Sequence, residues 1–531
     1  MPNKLFLTFL TPFLLWLAWP PMPYPITAFF AFVPLLYLEF LIHADDRRRK
    51  GTRVFLFSWL AMGLFNLFTT WWIWNAHWSG VITTVLVNGA MMAVPIWGYH
   101  LLRRVLPLKQ SLIGIPVFWI CFETIHKDWD MSWPWLTLGN VFAKNPEWVQ
   151  WYSWTGVFGG TLWIWIVNIL IFAAGVMWWQ NRQFLRSIPR LFAILVLLTL
   201  PAIWMSWRWY SNYEEKGTPV EVVVVQPNFD AYTEKFSLPE NEQVKRFLDL
   251  AKKAMTDSTR YVVGPETMLP RGFWEPGNQS PALTMIQRFA SENQVTVVAG
   301  ATSFRQYSDG EKTSTARPLQ NGQGYYDVYN TSFQVDPQGQ IMTYHKNKLV
   351  VGVERMPFES VIKPLLGEVV IDLGGASGTL GSDPTPVNFK NGSGHTVGAP
   401  ICFESVFGEH LGGFVRKGAD LLFVITNDDW WGDTNGKLQH LHYARLRAIE
   451  NRRDIARSAN TGISAFIDQR GDLIDPQSYR TQAAIRHTMH SNEEMTYYTT
   501  AGDVIGRVSW FVTAFLGLSA FVRGFLRRRE G

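Results

Sequence analysis

The placement of the apolar runs constrains this chain more than any other feature. Stretches near residues 5–20, 24–43, 54–75, 80–102, 111–126, 158–180, 190–208 and 505–523 each approach the roughly 20 mostly apolar residues that a helix needs to cross a bilayer. From 211 to 500 the pattern changes to charges, turns and short Val/Ile runs. These runs predict a polytopic α-helical membrane domain of about eight transmembrane helices, with a soluble α/β domain set into it. The boundaries that follow are an N-terminal transmembrane domain at 1–210 with about seven helices, a soluble domain at 211–500, and a last helix with a basic tail at 501–531. A signal peptide is the competing reading of 5–20. It is disfavoured because no small-residue cleavage site follows Trp19-Pro20-Pro21 and a second apolar run begins at once.

The loop charges orient the spans. Arg47, Arg48, Arg49, Lys50 and Arg53 follow the second span, and Arg103, Arg104 and Lys109 the fourth. Arg182, Arg186 and Arg190 follow the sixth, and Arg523, Arg527, Arg528 and Arg529 the eighth. Basic loops stay in the cytoplasm, so an alternating chain has both termini cytoplasmic and residues 211–504 outside. The net charge of +5 is therefore no argument for nucleic acid, because much of it sits in these clusters. Trp129, Trp133, Trp135, Trp148, Trp151 and Trp154 crowd the outward loop 127–157, with Trp71, Trp72, Trp74 and Trp78 at the same level. They read either as an interfacial aromatic belt or as part of a lipid-facing floor. Glu123 and His126 lie near the outer end of their span, where ionisable groups are costly.

In the soluble part, Val220–Val225, Tyr261–Val263, Val295–Val298, Val397–Cys402, Leu421–Ile425 and Ile463–Ile467 read as strands. Asn330–Val335 and Gln340–Tyr344 read as a hairpin, and 305–327 and 373–395 as loops. Helical spacing predicts helices over 241–256, 283–293 and 440–457. Strands alternating with helices point to a layered α/β domain, with its chemistry just past strand ends.

The sequence holds two cysteines, too few for a disulfide framework. Cys121 lies in an apolar run, and a bridge to Cys402 would join a membrane segment to a strand end. Cys402 is then the thiol that faces water. Glu266, Lys346 and Cys402 each stand at or past a strand-like run. Together they supply a base, a cation for a thiolate or oxyanion, and a nucleophile. Each also has a structural explanation, as a strand-end carboxylate, a surface lysine and a buried thiol.

Local context adds to these residue types. Pro265-Glu266, Tyr344-His345-Lys346-Asn347-Lys348-Leu349-Val350 and Cys402-Phe403-Glu404, in this order, resemble the nitrilase, or carbon–nitrogen hydrolase, superfamily. With spans on both sides, the whole chain resembles that superfamily's membrane-embedded family, the apolipoprotein N-acyltransferases. Pro134-Trp135 through Gly139-Asn140 and Gln150 to Gly159 resemble the family's membrane-loop pattern. Thr426-Asn427-Asp428 with Trp430 and Gly432, Gln439-His440, Arg447 to Asn451 and Asn460 to Ser464 resemble its later blocks.

The resemblance implies an extracytoplasmic, nitrilase-like α-β-β-α sandwich in a bacterial inner membrane, periplasmic in location. It implies Glu266 as general base, Lys346 as oxyanion stabiliser and Cys402 as nucleophile. Glu354 would orient the lysine or the base, Glu404 is the acidic residue two after the cysteine, and Phe403 and Asn427 support the site. It implies acyl transfer from a phospholipid, through a cysteine thioester, to the α-amine of a diacylglyceryl-modified apolipoprotein. The chain departs from the family at Gly264 (usually Trp), Val351-Gly352-Val353 (usually Pro-Phe-Gly), Phe403 (usually Tyr) and Gly436-Lys437-Leu438 (usually Gly-Pro-Tyr). Stretches 270–280 and 353–366 flank the site and are the candidate lids.

Two other classes stay in view: a membrane-anchored amidase using the same triad with water, and a polytopic transporter, which the scarcity of charges within the spans disfavours. No cofactor and no metal is expected. His440 and His442 are two apart, on opposite sides of a helix, and Cys402 lacks zinc-site spacing. A monomer is expected.

Overall fold

In the computed structural model, residues 3–180, 184–276, 280–319, 322, 324–366, 378–390 and 394–530 are described. They form two compact units, Met1–Asn212 with Asp503–Gly531, and Tyr213–Gly502.

The first unit is helical. Among the described residues, seven helical segments are long and apolar enough to cross a membrane: Pro25–Ala44, Lys50–Asn75, Trp78–Arg103, Leu108–Ile125, Val157–Val176, Ile188–Ser211 and Val504–Leu526. The first expected span is an apolar helix of 15 residues, Lys4–Ala18, shorter than the others. Leu197, Phe511, Phe515 and Phe521 on the last two segments are largely exposed within the unit. Apolar surface of that extent is stable only in an apolar solvent.

Polar groups inside this unit are tied to helix breaks, as a bilayer requires. The Asn168 side chain accepts from Phe32 N and donates to Ala28 O and Ile164 O. Buried Glu123 accepts from Trp119 Nε1, Leu138 N and Thr161 Oγ1, so it holds the loop 134–140 in place. Tyr152 OH donates to Gly139 O, and a side chain at Gly139 would run into Val157 O. The tryptophans of 127–157 are more internal than a simple belt. Trp135 is fully buried against Trp72 and Trp133, whereas Trp154 is exposed.

The second unit is a four-layer sandwich. Its strands are β1 (Thr218–Gln226), β2 (Thr259–Val263), β3 (Leu269–Glu275), β4 (Thr296–Tyr307), β5 (Arg317–Pro318), β6 (Tyr325–Val335), β7 (Ile341–His345), β8 (Asn388–Lys390), β9 (Thr396–Gly398), β10 (Leu421–Thr426), β11 (Ile455–Ala459), β12 (Ala465–Ile467), β13 (Leu473–Ile474) and β14 (Ala483–Ser491). One sheet runs β14-β1-β2-β4-β6-β5, with β3 on β4 and β7 on β6; the other runs β13-β12-β11-β10-β9-β8. Val220, Val222 and Val224 point into the core shared with β10 and β11, and Val223 and Val225 pack with the helices Glu240–Ala254 and Pro281–Asn293. A strand covered on both faces needs no polar alternation, hence the run of valines Val222–Val225. Helices Gly408–Arg416 and Asn435–Asn451 close the far side of the second sheet.

The structure refines several local expectations. The helix expected over 440–457 ends at Asn451, because Arg452 turns left-handed (φ +49°) and 455–459 is the buried strand β11. Residues 270–275 belong to β3, paired in parallel with β4, so this part of the first candidate lid is sheet; 277–279 lie outside the described residues. In the second candidate lid, Glu359–Leu366 is a helix. The loop expected over 373–395 contains β8, and its residues 373–377 and 391–393 lie outside the described residues.

Candidate active site

Cys402 stands where the second sheet gives out. β9 ends at Gly398, Ile401 makes one more parallel bridge to Ile425, and the chain then turns into the single helical turn Cys402–Val406. Cys402 itself is left-handed (φ +49°), a conformation that costs a non-glycine residue roughly 1–3 kcal/mol and persists only where neighbours enforce it. The enforcing contacts converge on its carbonyl. Ser405 Oγ donates to it at 2.7 Å, and His440 Nε2 lies 3.1 Å away. A carbonyl only accepts, so that bond puts the proton on Nε2. His440 Nδ1 faces Asp428 Oδ1 at 3.0 Å, and the Arg457 guanidinium donates to both Asp428 oxygens at 3.0 and 2.8 Å. Both cysteines are free and buried. The thiol is thus not on an open surface, contrary to the sequence expectation.

Glu266 follows β2 across Gly264-Pro265. Gly300 on β4 lets it approach: a Cβ there would lie 2.5 Å from Thr267 N and 2.7 Å from Glu266 Cα. At Gly264 a side chain would meet the Phe247 ring at 2.9 Å, so that ring occupies the space. Lys346 follows β7, and its main-chain N continues the ladder to Asn330 O. Its Nζ lies 2.9 Å from Glu354 Oε1 and 3.4 Å from Glu266 Oε1. Asn330 Nδ2 donates to the same two oxygens, at 2.8 Å to Glu266 and 2.7 Å to Glu354. The other Glu354 oxygen accepts from Val350 N and closes the 350–354 turn. That turn brings Glu354 to the lysine despite the unusual Val351-Gly352-Val353.

Glu404 is fully buried and joins the two halves. Its Oε1 accepts from Tyr344 OH (2.6 Å), Asn347 N (2.7 Å), His410 Nε2 (3.0 Å) and Lys348 N (3.2 Å), and its Oε2 accepts from Ile401 N (2.8 Å). The cysteine turn and the lysine segment therefore share one carboxylate. Its pKa is held below the usual range, because the His410 charge and these donors outweigh burial. Phe403 packs edge-on against Phe407. Asn427 follows β10, accepts from Asn460 Nδ2, and has a buried Nδ2 without a partner among the described residues.

Burial pushes the Cys402 thiol well up. The Glu266 charge pushes it further, while Lys346 and a hydrogen bond with the Thr426 side chain pull it back. Burial alone would lower Lys346, but Glu354, Glu266 and an ionised Cys402 hold it well above the usual lysine range. The set can move a proton off a thiol and hold an oxyanion.

The fold thus gathers Glu266, Lys346, Glu354, Cys402 and Glu404 into one connected cluster. It also gives Tyr344 and Asp428, which the sequence offers only as members of motifs, partners in Glu404 and Arg457, and it adds residues that the sequence did not single out: Asn330, His410, Arg457, and Lys235, whose Nζ donates to Glu266 O at 2.9 Å. Each is an ordinary residue locally, so only the fold could reveal it. His345, next to Lys346, stacks on Tyr329 and lies between Glu275 and Asp383. These two carboxylates overcome its burial and raise it to about 9.

Among the described residues, two groups have metal-ligand geometry, Glu39 with His43 and His100, and Glu215 with Asp454 and His490. In the first, Arg103 already pairs with Glu39.

Residues 12–170 match the family described as apolipoprotein N-acyltransferase N-terminal domain, and residues 221–488 match carbon–nitrogen hydrolase. An apolipoprotein N-acyltransferase of Chlorobaculum tepidum is 28% identical over 515 residues, covering 95% of this chain and 93% of the relative. One from Pasteurella multocida is 26% identical over 517 residues, covering 94% and 92%. Among solved structures, a Saccharomyces cerevisiae member of branch 10 of the nitrilase superfamily aligns at 16% identity with a TM-score of 0.39, covering 54% of this chain and 95% of that one. A mutant of the Nesterenkonia AN1 amidase aligns at 14% identity with a TM-score of 0.37, covering 56% and 98%.

Proposed function

Because the chain belongs to the carbon–nitrogen hydrolase family, within its apolipoprotein N-acyltransferases, we propose that it performs the N-acylation of lipoprotein maturation by two transfers through Cys402. In the first, Cys402 Sγ attacks the acyl ester of a membrane phospholipid. Glu266 takes the thiol proton and returns it to the departing lysophospholipid oxygen. Lys346 holds the carbonyl oxygen as it becomes anionic, and Glu354 and Asn330 keep its ammonium aimed. In the second, the α-amine of a diacylglyceryl-modified N-terminal cysteine attacks the thioester, and Glu266 takes the amine proton and passes it to the departing Cys402 thiolate as the C–S bond breaks. Catalysis of this kind predicts ping-pong kinetics.

The observation that carries this reading is the buried Lys346 ammonium shared by two carboxylates, in the electrostatic field that also acts on the Cys402 thiol. The apolar outer faces of the helical unit support a membrane setting. The basic clusters support cytoplasmic termini and a periplasmic second unit in the bacterial inner membrane. We take the working form to be a monomer that needs no metal or cofactor. Incubating the full-length protein in vesicles with acyl-labelled phospholipid should leave hydroxylamine-sensitive label on Cys402. Equal, thioester-type labelling of Cys402→Ser would refute the proposal.

A further inference from the structure

Lys235 lies between β1 and the helix Glu240–Ala254, and it is only 3% exposed. Lysines almost never go this deep without a counter-charge. Its partner in hydrogen bonding is neutral, the main-chain oxygen of Glu266 at 2.9 Å. Among the described residues it forms no ion pair. The segment is fixed around it: Lys235 N donates to Asp230 O, and Lys235 O accepts from Gln243 Nε2. The ammonium is therefore delivered inward by a held backbone.

The charges of the site say what it meets there. With Glu266 and Glu354 ionised and Lys346 charged, the buried cluster carries one net negative charge. Moving the Cys402 proton to Glu266 replaces a carboxylate charge by a thiolate charge and leaves the net unchanged. One more cation makes the cluster neutral in both proton states. The anionic groups acting on Lys235 are Glu266, an ionised Cys402 and Asp429. Asp429 already pairs with Arg480 and accepts from Tyr479 OH. Glu266 and the thiolate are left. We infer that Lys235 is the counter-cation of this site, a positioning residue that fixes the Glu266 main chain and offsets the cluster's charge so that the Cys402 thiolate can form.

The inference rests on Cys402 being the nucleophile. Burial brings the Lys235 ammonium down to about 8, which leaves it charged at neutral pH. Loss of this cation leaves the thiolate less favoured at every pH below the new midpoint.

The test is the rate at which a small haloacetamide alkylates Cys402 in the full-length protein, followed by mass spectrometry from about pH 6 to about pH 11, for wild type, Lys235→Met and Lys235→Arg. Lys235→Met should move the midpoint up by about one pH unit, so that alkylation at pH 7 is about tenfold slower. The rates should converge at high pH. Lys235→Arg keeps the charge and should leave the midpoint in place or lower it. An unmoved midpoint in Lys235→Met overturns the inference, as does a rate loss that is uniform over pH. If Lys235→Met does not fold, an upward midpoint shift of one unit in Lys235→Arg overturns it. Alkylation needs no acyl donor, so these outcomes are separate from the labelling test that decides the thioester reading.

Discussion

Glutamine at position 404 is the most informative single change, because it preserves volume and alters only acceptors and charge. The Glu404 carboxylate takes four hydrogen bonds on Oε1 and one on Oε2, and it is fully buried. The better orientation of the new amide keeps its oxygen at the Oε1 position. Its NH2 then faces the Ile401 N–H, so two donors meet where water cannot intervene, which costs roughly 1–3 kcal/mol. The four remaining bonds change from charged to neutral acceptors, a loss of about 1 kcal/mol each. Relief from burying a carboxylate, several kcal/mol, offsets most of that second loss. The net is about 2–3 kcal/mol, or a Tm lower by roughly 3–5 °C for a unit of this size.

The same change loosens the tie between Ile401, beside the nucleophile, and Asn347 and Lys348, beside the lysine. A displacement near 1 Å between reacting groups costs about a hundredfold in rate. The assay is acyl-thioester formation on Cys402 with labelled phospholipid, together with a thermal scan of the same preparation. Wild-type Tm and rate in Glu404→Gln would refute the reasoning. A lowered Tm with an unchanged rate would refute the positioning half of it, because the hydrogen bonds would then stabilise without aligning.

Three further outcomes follow from the geometry. Gly300→Ala places a methyl 2.5 Å from Thr267 N and 2.7 Å from Glu266 Cα, so the Glu266 turn must move. About 1–3 kcal/mol of stability and at least tenfold in acylation rate should be lost, read by thermal scan and label incorporation. Asn330→Asp puts a third carboxylate against Glu266 and Glu354 and should abolish acylation at neutral pH, whereas Asn330→Ala should only slow it; the reverse order would contradict the proposed charge balance. His345 has its pKa raised from 6.5 to about 9 by Glu275 and Asp383, so its contribution is full below pH 6.5 and is lost as pH rises through about 9. Thermal scans should show Tm falling across that window, by at most about 3 kcal/mol of stability, and His345→Gln should flatten the slope.

The sequence was legible where one local rule acts alone. The valine run of β1 was plain because both of its faces are covered. β14, by contrast, carries Arg486, Thr488 and His490 at an edge, and its pairing with β1, far away in the chain, leaves no local mark. Helical spacing over 440–457, with Arg445, Arg447 and Arg453 along it, reads as one long helix. Arg453 instead leaves the helix to cap Ala419 O, and Arg457 enters β11 to pair with Asp428. Buried arginines mimic an exposed helical face, because spacing alone does not report burial. Glu266, Lys346 and Cys402 were visible as strand-end residues in a known order. Asn330 lies within β6, and Lys235 lies in a turn-rich segment, so neither has a pattern of its own.

The distribution of the site over the sandwich explains this division. Glu266, Asn330 and Lys346 come from the first sheet, while Cys402, Asn427 and Asp428 come from the second. The distance from the Cys402 thiol to the Glu266 carboxylate is therefore set by how the two sheets pack. Tyr261 meets Phe423 edge-on across that interface at 5.3 Å, and Val222, Val224 and Val263 fill it with Leu421 and Ile425, which share the Phe423 face of their strand. Apolar interiors are close-packed, and a change of one methylene is felt by the neighbouring layers. The apolar residues that the sequence identified only as strand formers thus also fix the spacing between Cys402 and Glu266. Glu404, with donors from both segments, holds the register that this packing alone would leave loose.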